Sequence, residues 1–587
     1  MVASIMPINL PMTSRGLSKH LTPCIRKSPL PARVLTSFVL VIIFFLTFAS
    51  PRGVGATLPN VNISVNASQS LEPINKNVLG VNQLGNPGAV TAMKNMDLRW
   101  VRIDASLEAV TNGVPAYNCQ SGIWDPSLLA SRLALTKQAG ASPEVIVDYT
   151  PSCLATKPSP YASPGSSPPD IGPNKAKWIS LITQLANYAI PNGVRDFEVW
   201  NEPDWLFWNG GLPAYLQLYS DTSKALEAVA KKDGIPIQVG GPALANVTNS
   251  MDMNWLGTFL SYVAKNNLPL DFISWHDYSN DPNSGPQGSL PPFCNFRFST
   301  AKSPNGTPCY YTTTFSTSSY RDEVIQVKNE LKNYPQLHPL LWIDEWNMDA
   351  EFDQREDSSF DAAFALSALE AATQAGVDRM CWYNVWDGDK NSAFGLLNNS
   401  FQPKPSYYAF FFWSQMNGNI VPSNINNPNS TGFPFDPFGT GGGVGEIATK
   451  DSSGTIRILI YNFVPYDQQN NFGQRLGGPY VVSLNLNVTS DKLLNQNASI
   501  NQILPSGSSN FLAISNSKVV QKSPNTYTLS LPLNEDQVDL ITLSTENIPS
   551  PAHSLKGVYL IVTGACAAIL LILMLVIRIM KRASQYR

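Results

Sequence analysis

The chain has 587 residues, enough for two or three domains and a large buried core. It carries 40 Lys and Arg residues against 43 Asp and Glu residues, and only 14% of its residues are charged. A chain of this kind lacks the basic field that nucleic acids require, so we expect no nucleic-acid partner. Its four histidines and seven cysteines show no zinc-site spacing, so we expect no metal and no other cofactor.

Two apolar runs flank the chain. The first, residues 34–50, follows a basic segment and precedes small residues, which favours a signal peptide over residues 1–56. Because this leader is long, an uncleaved signal anchor is the alternative. The second run, residues 557–577, contains no charged residue and is long enough to span a bilayer. The basic tail at 578–587 predicts a cytosolic end, and hence a single-pass type I protein of the cell surface or secretory pathway.

The glycosylation sequons agree with this topology because all eight N-x-[ST] motifs fall between the two apolar runs. The candidate acceptors are Asn62, Asn66, Asn246, Asn305, Asn398, Asn429, Asn487 and Asn497.

The cysteines between the apolar runs are expected to face an oxidising compartment. Cys294 and Cys309 form the first predicted disulfide because both lie in one long loop. Cys119 with Cys153 is the second predicted pair, and Cys381 lies in an apolar run typical of a buried free thiol.

Residues 57–417 predict a (β/α)₈ TIM barrel, because short apolar runs alternate there with helix-like segments. The expected barrel strands are 78–83, 98–104, 144–149, 196–201, 237–241, 271–278, 341–346 and 380–386. Two helices have recognisable ends: one begins at Asp125-Pro126 and ends at Gly140, and the other covers 358–375 and ends at Gly376.

Residues 418–545 predict a β-sandwich, because runs with a period of two are separated there by turn residues. The run at 61–65 is a candidate for an additional strand of that sandwich. A short stalk at 546–556 would connect the sandwich to the membrane helix.

The stretch Asp196 to Asp204 reads D-F-E-V-W-N-E-P-D, a strand that stops at a proline and places Glu202 at its end. A second stretch, D-E-W-N, places Glu345 at the end of the predicted seventh strand. Barrel enzymes carry their catalytic groups at the carboxyl ends of strands, and two carboxylates there can cleave a glycosidic bond. The alternative is that both are structural or surface carboxylates.

Other polar and aromatic residues end neighbouring strands and are candidates for substrate binding or for orienting the two glutamates. Asn201 can bind a sugar hydroxyl, His276 and Tyr278 are expected to hold Glu345, and Arg102 is expected to pair with a carboxylate of the site. The remaining candidates are Asn82 at the end of strand one, and Trp382 and Trp386, expected on one face of strand eight as a floor for the sugar. Core packing is the alternative for either tryptophan.

Residues 78–415 resemble family 39 glycoside hydrolases of clan A, the group of β-xylosidases and α-iduronidases. The similar segments are E-V-W-N-E-P-D, Gly240-Gly241-Pro242-Ala243, Asp271 to Ser274 with His276 and Tyr278, D-E-W-N, Phe394 to Leu397, and Pro403 to Phe410. The resemblance implies that Glu202 is the acid/base and Glu345 the nucleophile of a retaining hydrolase. Asp344 stands where the xylosidases of the family usually carry threonine.

The sequence therefore predicts a membrane-anchored enzyme that cleaves an extracellular oligo- or polysaccharide. A transglycosylase using the same residues, and a catalytically silent carbohydrate-binding protein, are the alternatives.

Overall fold

A computed structural model describes residues 58–545 apart from 112, 156–172, 206, 248–249, 279–316, 349–353, 389–393, 427–442, 465, 468–473, 476–480 and 506–510. Both apolar runs, the predicted Cys294–Cys309 disulfide and the sequons at Asn305 and Asn429 lie outside these residues. Within them, no helix combines the length and the apolar character that a bilayer span requires.

The first strand of the described chain, β1 (Asn60–Asn66), belongs to the second domain. The strands that follow are β2 (Gly80–Asn82), β3 (Trp100–Asp104), β4 (Val110–Thr111), β5 (Val114–Pro115), β6 (Tyr117–Asn118), β7 (Ile123–Trp124), β8 (Ser142–Val147), β9 (Asp196–Val199), β10 (Gln238–Leu244), β11 (Phe272–Tyr278), β12 (Leu340–Asn347) and β13 (Arg379–Trp382). The short strands β4 to β7 form two antiparallel hairpins after β3. The other eight close into a parallel barrel in the order β2-β3-β8-β9-β10-β11-β12-β13, which confirms the predicted barrel.

Helices follow the barrel strands along the chain. They are α1 (Val90–Asn95), α2 (Ser127–Ala139), α3 (Pro173–Ala189), α4 (Gly211–Asp233), α5 (Ser250–Asn266), α6 (Ser318–Leu331), α7 (Ser359–Ala375) and α8 (Pro405–Gln415), with 3₁₀ turns at Pro87–Ala89 and Gln354–Asp357. The ends of α2 and α7 are where the sequence predicts them. Ser358 caps α7 by accepting a hydrogen bond from the Phe360 N–H, and Gly376 ends it in the left-handed conformation.

An arginine closes the amino-terminal end of the barrel. Arg379 lies between the rings of Trp100 and Trp342, with its guanidinium carbon 3.4 and 3.5 Å from the two ring centroids. Its Nη1 also lies 3.0 Å from a carboxylate oxygen of Asp196. All four side chains lie in the amino-terminal halves of barrel strands, so polar and aromatic groups fill the barrel floor beneath the carboxyl-end face.

The Cys119–Cys153 disulfide joins the loops that follow β3 and β8. It confirms the second predicted pair. Cys381 is a buried free thiol, also as predicted. Both tied loops emerge from the carboxyl ends of their strands, so the bridge stiffens that face of the barrel.

The second domain is a β-sandwich, as predicted. Its further strands are β14 (Asn419–Ile420), β15 (Ser423–Asn426), β16 (Gly443–Lys450), β17 (Ile456–Phe463), β18 (Tyr466–Asp467), β19 (Gln474–Arg475), β20 (Val481–Thr489), β21 (Asn497–Ile503), β22 (Leu512–Lys518), β23 (Val520–Ser523), β24 (Thr526–Asn534) and β25 (Val538–Leu543). One sheet has the order β15-β1-β20-β24-β23, and the other β14-β16-β17-β25-β21-β22. Because β1 pairs with β20, the sandwich takes a strand from before the barrel, as the run at 61–65 suggests.

One predicted acceptor is incompatible with this fold. Asn246 is only 4% exposed, just after β10, so its side chain cannot carry a glycan in the folded chain. Asn62, Asn66, Asn398 and Asn487 are partly exposed and Asn497 is exposed.

The barrel and the sandwich share a continuous core along α7 and β17. Phe463 packs against Phe360 and Phe364, at centroid distances of 5.3 and 6.0 Å. Beside them, the Tyr461 hydroxyl donates a 2.7 Å hydrogen bond to Oε2 of the buried Glu370. Burial raises the pKa of the Glu370 carboxyl well above its usual range. The contact is therefore a buried polar bond between two domains.

Tyr461→Phe should reduce the stability of the protein, because it removes a buried donor from Glu370. The expected loss is about 1–3 kcal/mol of unfolding free energy. Chemical denaturation monitored by tryptophan fluorescence measures it. Tyr188→Phe is the matched control, since the Tyr188 ring makes an edge contact with Trp124 on the barrel surface. Equal stability of the two variants would contradict a role for the Tyr461 hydroxyl.

Candidate active site

Glu202 is fixed where the chain leaves β9. Two non-glycine residues here have positive φ angles, Trp200 at 76° and Glu202 at 45°. The strained turn is held by its surroundings: the Trp200 indole donates to the Phe207 carbonyl at 3.1 Å, and the Glu202 N–H donates to the Ala243 carbonyl at 2.9 Å. Left-handed backbone at non-glycine residues persists only where neighbours hold it, and it is concentrated at functional sites. The Glu202 side chain is thus aimed inward, with the residue 6% exposed.

Glu345 lies near the carboxyl end of β12, and both of its oxygens accept hydrogen bonds. The Tyr278 hydroxyl donates to Oε1 at 2.6 Å, and Arg102 donates to Oε2 through Nη1 at 2.9 Å. The side chain is 14% exposed, whereas that of Arg102 is 1% exposed. A phenol and a guanidinium thus hold the two oxygens in a fixed orientation.

Arg102 is the centre of the site. Its guanidinium contacts Glu198 through Nε and Nη2, at 2.7 and 2.6 Å. It also donates to the side-chain oxygens of Asn82, at 3.1 Å, and of Asn201, at 2.9 Å. Burial alone would lower the pKa of Arg102, but the surrounding carboxylates, Glu198 first among them, raise it well above its usual value. Arg102 therefore binds three predicted site residues, which are Asn82, Asn201 and Glu345. It also binds Glu198, which is not among the predicted site residues.

His276 contacts Glu202, whereas the sequence predicts that it holds Glu345. Its Nδ1 lies 2.7 Å from Oε1 of Glu202, whereas Nε2 lies 3.9 Å from Glu345. The prediction that His276 holds Glu345 is therefore wrong. His276 lies opposite Glu345 in the β11–β12 register, but its ring reaches Glu202, which follows β9.

The tautomer of His276 follows from its second neighbour. Nη2 of Arg102 lies 3.4 Å from Nε2 of the ring, and arginine can only donate. Burial lowers the pKa of His276 to about 4, so the ring is neutral near pH 7. The single ring proton therefore lies on Nδ1 and is donated to Glu202.

The two predicted tryptophans do not share one face of the eighth barrel strand. The eighth barrel strand ends at Trp382, so Trp386 lies beyond it and packs on Phe401 at a centroid distance of 5.2 Å. Trp382 is 1% exposed, and its indole donates to the Phe394 carbonyl. The expectation of one shared strand face is wrong because the strand is shorter than the apolar run.

Tyr383 and Tyr149 are partly exposed aromatic residues that lie beside the two glutamates. Neither tyrosine is among the site residues predicted from the sequence. Burial, followed by the charge of Glu345, raises the pKa of Tyr383 to about 12. The Tyr149 hydroxyl accepts a 3.1 Å hydrogen bond from the Asn201 amide. Their signal in the sequence is position alone, since each follows a barrel strand by one or two residues.

The two glutamates and His276 come close together. One side-chain atom of each, taken from Glu202, His276 and Glu345, lies within 4.8 Å of the others. That spacing would also suit a metal ion, but Arg102 already places its positive charge 2.9 Å from Glu345. The donor set therefore fits two carboxyl groups that work beside a fixed arginine.

Residues 94–290, which include Glu202, His276 and Tyr278, match the sequence profile of glycosyl hydrolases family 39. The chain is 27% identical over 322 residues to a β-xylosidase of Caldicellulosiruptor saccharolyticus, covering 50% of this chain and 57% of that protein. It is 26% identical over 270 residues to a β-xylosidase of Geobacillus stearothermophilus, covering 42% and 47%. This part of the chain is therefore similar to family 39. It spans about half the length of these curated relatives.

Solved structures agree with a family 39 fold. A family 39 enzyme from Xanthomonas axonopodis pv. citri is similar with a TM-score of 0.60 and 19% identity, over 85% of this chain and 100% of that one. A monomeric β-xylosidase from Caulobacter crescentus is similar with a TM-score of 0.61 and 18% identity, over 82% and 99%. At these identities the likeness shows only that the chains share a fold.

Stability should depend on pH through His276. Because its folded pKa is near 4 and its unfolded pKa near 6.5, the unfolded chain binds this proton first as the pH falls. His276 therefore contributes a loss of stability that begins near pH 6.5 and grows by up to about 1.4 kcal/mol per pH unit towards pH 4.

His276→Gln should remove that contribution, so its melting temperature should fall less steeply between pH 6.5 and pH 4.5 than that of the wild type. His338→Gln, at an exposed histidine, is the control and should follow the wild-type profile. Identical slopes for His276→Gln and the wild type would show that His276 is not held neutral.

Proposed function

We propose that the barrel is a retaining glycoside hydrolase in which Glu345 is the nucleophile and Glu202 the acid/base. The observation that carries this proposal is the approach of the two carboxylates to within 4.8 Å, measured between their nearest oxygens. Retaining enzymes have carboxyl groups roughly 5–5.5 Å apart, whereas inverting ones need about 6.5–9.5 Å to admit a water molecule. The spacing supports direct attack on the sugar.

Glu345 has the environment of a nucleophile. Its two oxygens accept hydrogen bonds from Tyr278 and Arg102, which stabilise the negative charge that attack requires. Neither donor can take a proton from Glu345 at neutral pH, because one is a phenol and the other a guanidinium. The carboxylate is thus kept ionised and oriented before the substrate arrives.

Glu202 has the environment of a proton donor. Since His276 donates its Nδ1 proton to Oε1 of Glu202, a proton on Glu202 must lie on Oε2. His276 is neutral and so does not favour the ionised carboxylate as a charged imidazolium would. The arrangement fixes which oxygen delivers the proton and leaves Glu202 able to release and regain it.

The reaction then has two balanced steps. In the first, a Glu345 oxygen bonds to the anomeric carbon, the glycosidic C–O bond breaks, and Glu202 gives its proton to the leaving oxygen. In the second, Glu202 takes a proton from water, the water oxygen bonds to the anomeric carbon, and Glu345 leaves. Asn201, which is held by Arg102 and Tyr149, is placed to bind a hydroxyl group next to the reacting carbon.

β-Xylosides are the substrates to test first, because the curated relatives are named β-xylosidases. A polysaccharide transglycosylase is the second candidate, since a sugar hydroxyl can replace water in the second step with the same residues. A carbohydrate-binding protein without catalysis would not need the contacts that Arg102, Tyr278 and His276 make with the two glutamates.

The roles of the two glutamates can be separated by substitution. Glu345→Ala should lower kcat by at least about 10⁴-fold on every substrate, because no covalent intermediate can form. Glu202→Ala should lose about 10²–10⁴-fold on alkyl xylosides, but much less in the first step on aryl xylosides whose leaving groups need no proton. Azide should restore turnover of the aryl substrates by Glu202→Ala. Glu227→Ala, on the outer helix α4, is the control. If azide instead rescued Glu345→Ala and gave a product of retained configuration, the roles of the two glutamates would be exchanged.

We propose further that residues 57–556 are extracellular or lumenal and that the 557–577 run anchors the protein in a membrane. The sequons and the basic tail support this topology. Protein recovered from membranes should lose several kilodaltons on endoglycosidase treatment, with Asn497 among the occupied sites because it is exposed. Deletion of 557–587 should release active protein into the medium. Unglycosylated, cytosolic protein would contradict the proposal.

A further inference from the structure

Three carboxyl groups lie together beneath the proposed active site, inside the barrel. One oxygen each from Glu144, Glu198 and Asp344 lies within 4.8 Å of the others, and all three side chains are fully buried. Three negative charges at this distance would repel one another strongly in a buried site. The groups must therefore share fewer charges than there are carboxyls, and the hydrogen-bond donors around them decide which one is ionised.

Glu198 has the donors. Arg102 contacts its Oε2 through Nε and Nη2, at 2.7 and 2.6 Å, and the Ser274 hydroxyl donates to its Oε1. Burial alone would raise the pKa of Glu198, but the charge of Arg102, helped by the hydrogen bond from Ser274, lowers it below its usual value. Glu198 therefore carries a full negative charge.

Asp344 lacks them. Within the described part of the chain, neither of its oxygens accepts a hydrogen bond, and the nearest Arg102 nitrogen is 3.8 Å away. One oxygen of Asp344 lies within 4.8 Å of one of Glu198, and Glu198 is the carboxyl that Arg102 pairs with, so Asp344 is the one that keeps its proton. Burial and the charge of Glu198 raise the pKa of Asp344 well above its usual range, which agrees with a protonated Asp344.

We propose that Glu198 is a positioning residue of the reaction: its charge, beside a protonated Asp344, fixes Arg102 against Glu345. This inference rests on the proposed function. With Glu198 ionised, the positive charge of Arg102 is shared between two carboxylates, so Glu345 stays basic enough to attack. Without the negative charge of Glu198, the whole positive charge of Arg102 would act on Glu345, and Glu345 would be a weaker nucleophile.

Titratable groups from several elements face this pair. They are Arg102 on β3, Glu144 on β8, Asp148 just after β8, Tyr215 on α4, His276 on β11 and Cys381 on β13, and Arg102 connects the pair to Glu345. Burial, then the charge of Glu198, raises the pKa of Glu144 to about 8, so Glu144 is largely neutral near pH 7. His276 is also neutral there. Arg102 and Glu345 are thus the charges that a change at Glu198 would affect.

The test compares two isosteric substitutions through the pH dependence of kcat/KM on an aryl xyloside. Glu198→Gln keeps the shape but removes a negative charge near Glu345, so the acid limb should move to lower pH by about one unit. We expect kcat to fall at least 10-fold with KM nearly unchanged, because Glu198 does not contact the substrate. Glu198→Asp, which restores the charge, should return the acid limb towards the wild-type position.

Asp344→Asn replaces one neutral donor by another, so its acid limb should stay at the wild-type pH. A shift in Asp344→Asn without one in Glu198→Gln would place the charge on Asp344 and overturn the proposal. An unshifted limb in both variants would overturn it too, since a purely structural Glu198 would lower kcat alone. If Glu198→Gln does not fold, a shifted limb in Asp344→Asn still refutes it. Absence of hydrolysis by the wild type would instead refute the proposed function.

Discussion

The buried guanidinium of Arg102 is the interaction on which the site depends. It contacts Glu198 below, Glu345 beside it and Asn201 above, and its Nη2 lies against His276. Burying a cation is costly unless carboxylates compensate for the lost water, and the barrel supplies them on facing strands. Because arginine donates in a rigid plane, each contact fixes the direction of the next. The two glutamates are thereby held relative to one another through one side chain.

The fold explains why this charge can be buried. The eight parallel strands bring residues far apart in sequence to one cross-section, and the amino-terminal end is closed by Arg379 between Trp100 and Trp342. Water is thus kept from the carboxyl groups below the site, where Glu144 and Asp344 retain their protons. The sandwich packs on α7 at the outside of the barrel, which stiffens the wall that follows Glu345.

The strands and the two glutamates could be predicted because their signals are local. A strand that stops at Asn201-Glu202-Pro203 fixes its own end, and D-E-W-N does the same for Glu345. The partner of His276 could not be predicted, because its ring contacts Glu202 beyond β9 and not Glu345, its neighbour in the β11–β12 register. Nor could the end of the last barrel strand at Trp382, because the apolar run continues past it. Glu198 left a usable signal: it shares the inward face of β9 with Asp196, opposite the apolar Phe197 and Val199.

The stereochemistry of the first-formed product tests the central claim most directly. Proton NMR of an aryl β-xyloside, recorded in the first minutes after adding wild-type protein, distinguishes the two anomers before they equilibrate. Attack by Glu345 followed by water predicts that the β-anomer appears first, because two inversions restore the configuration. Initial appearance of the α-anomer would mean that water attacks directly, and it would contradict the assignment of Glu345 as the nucleophile.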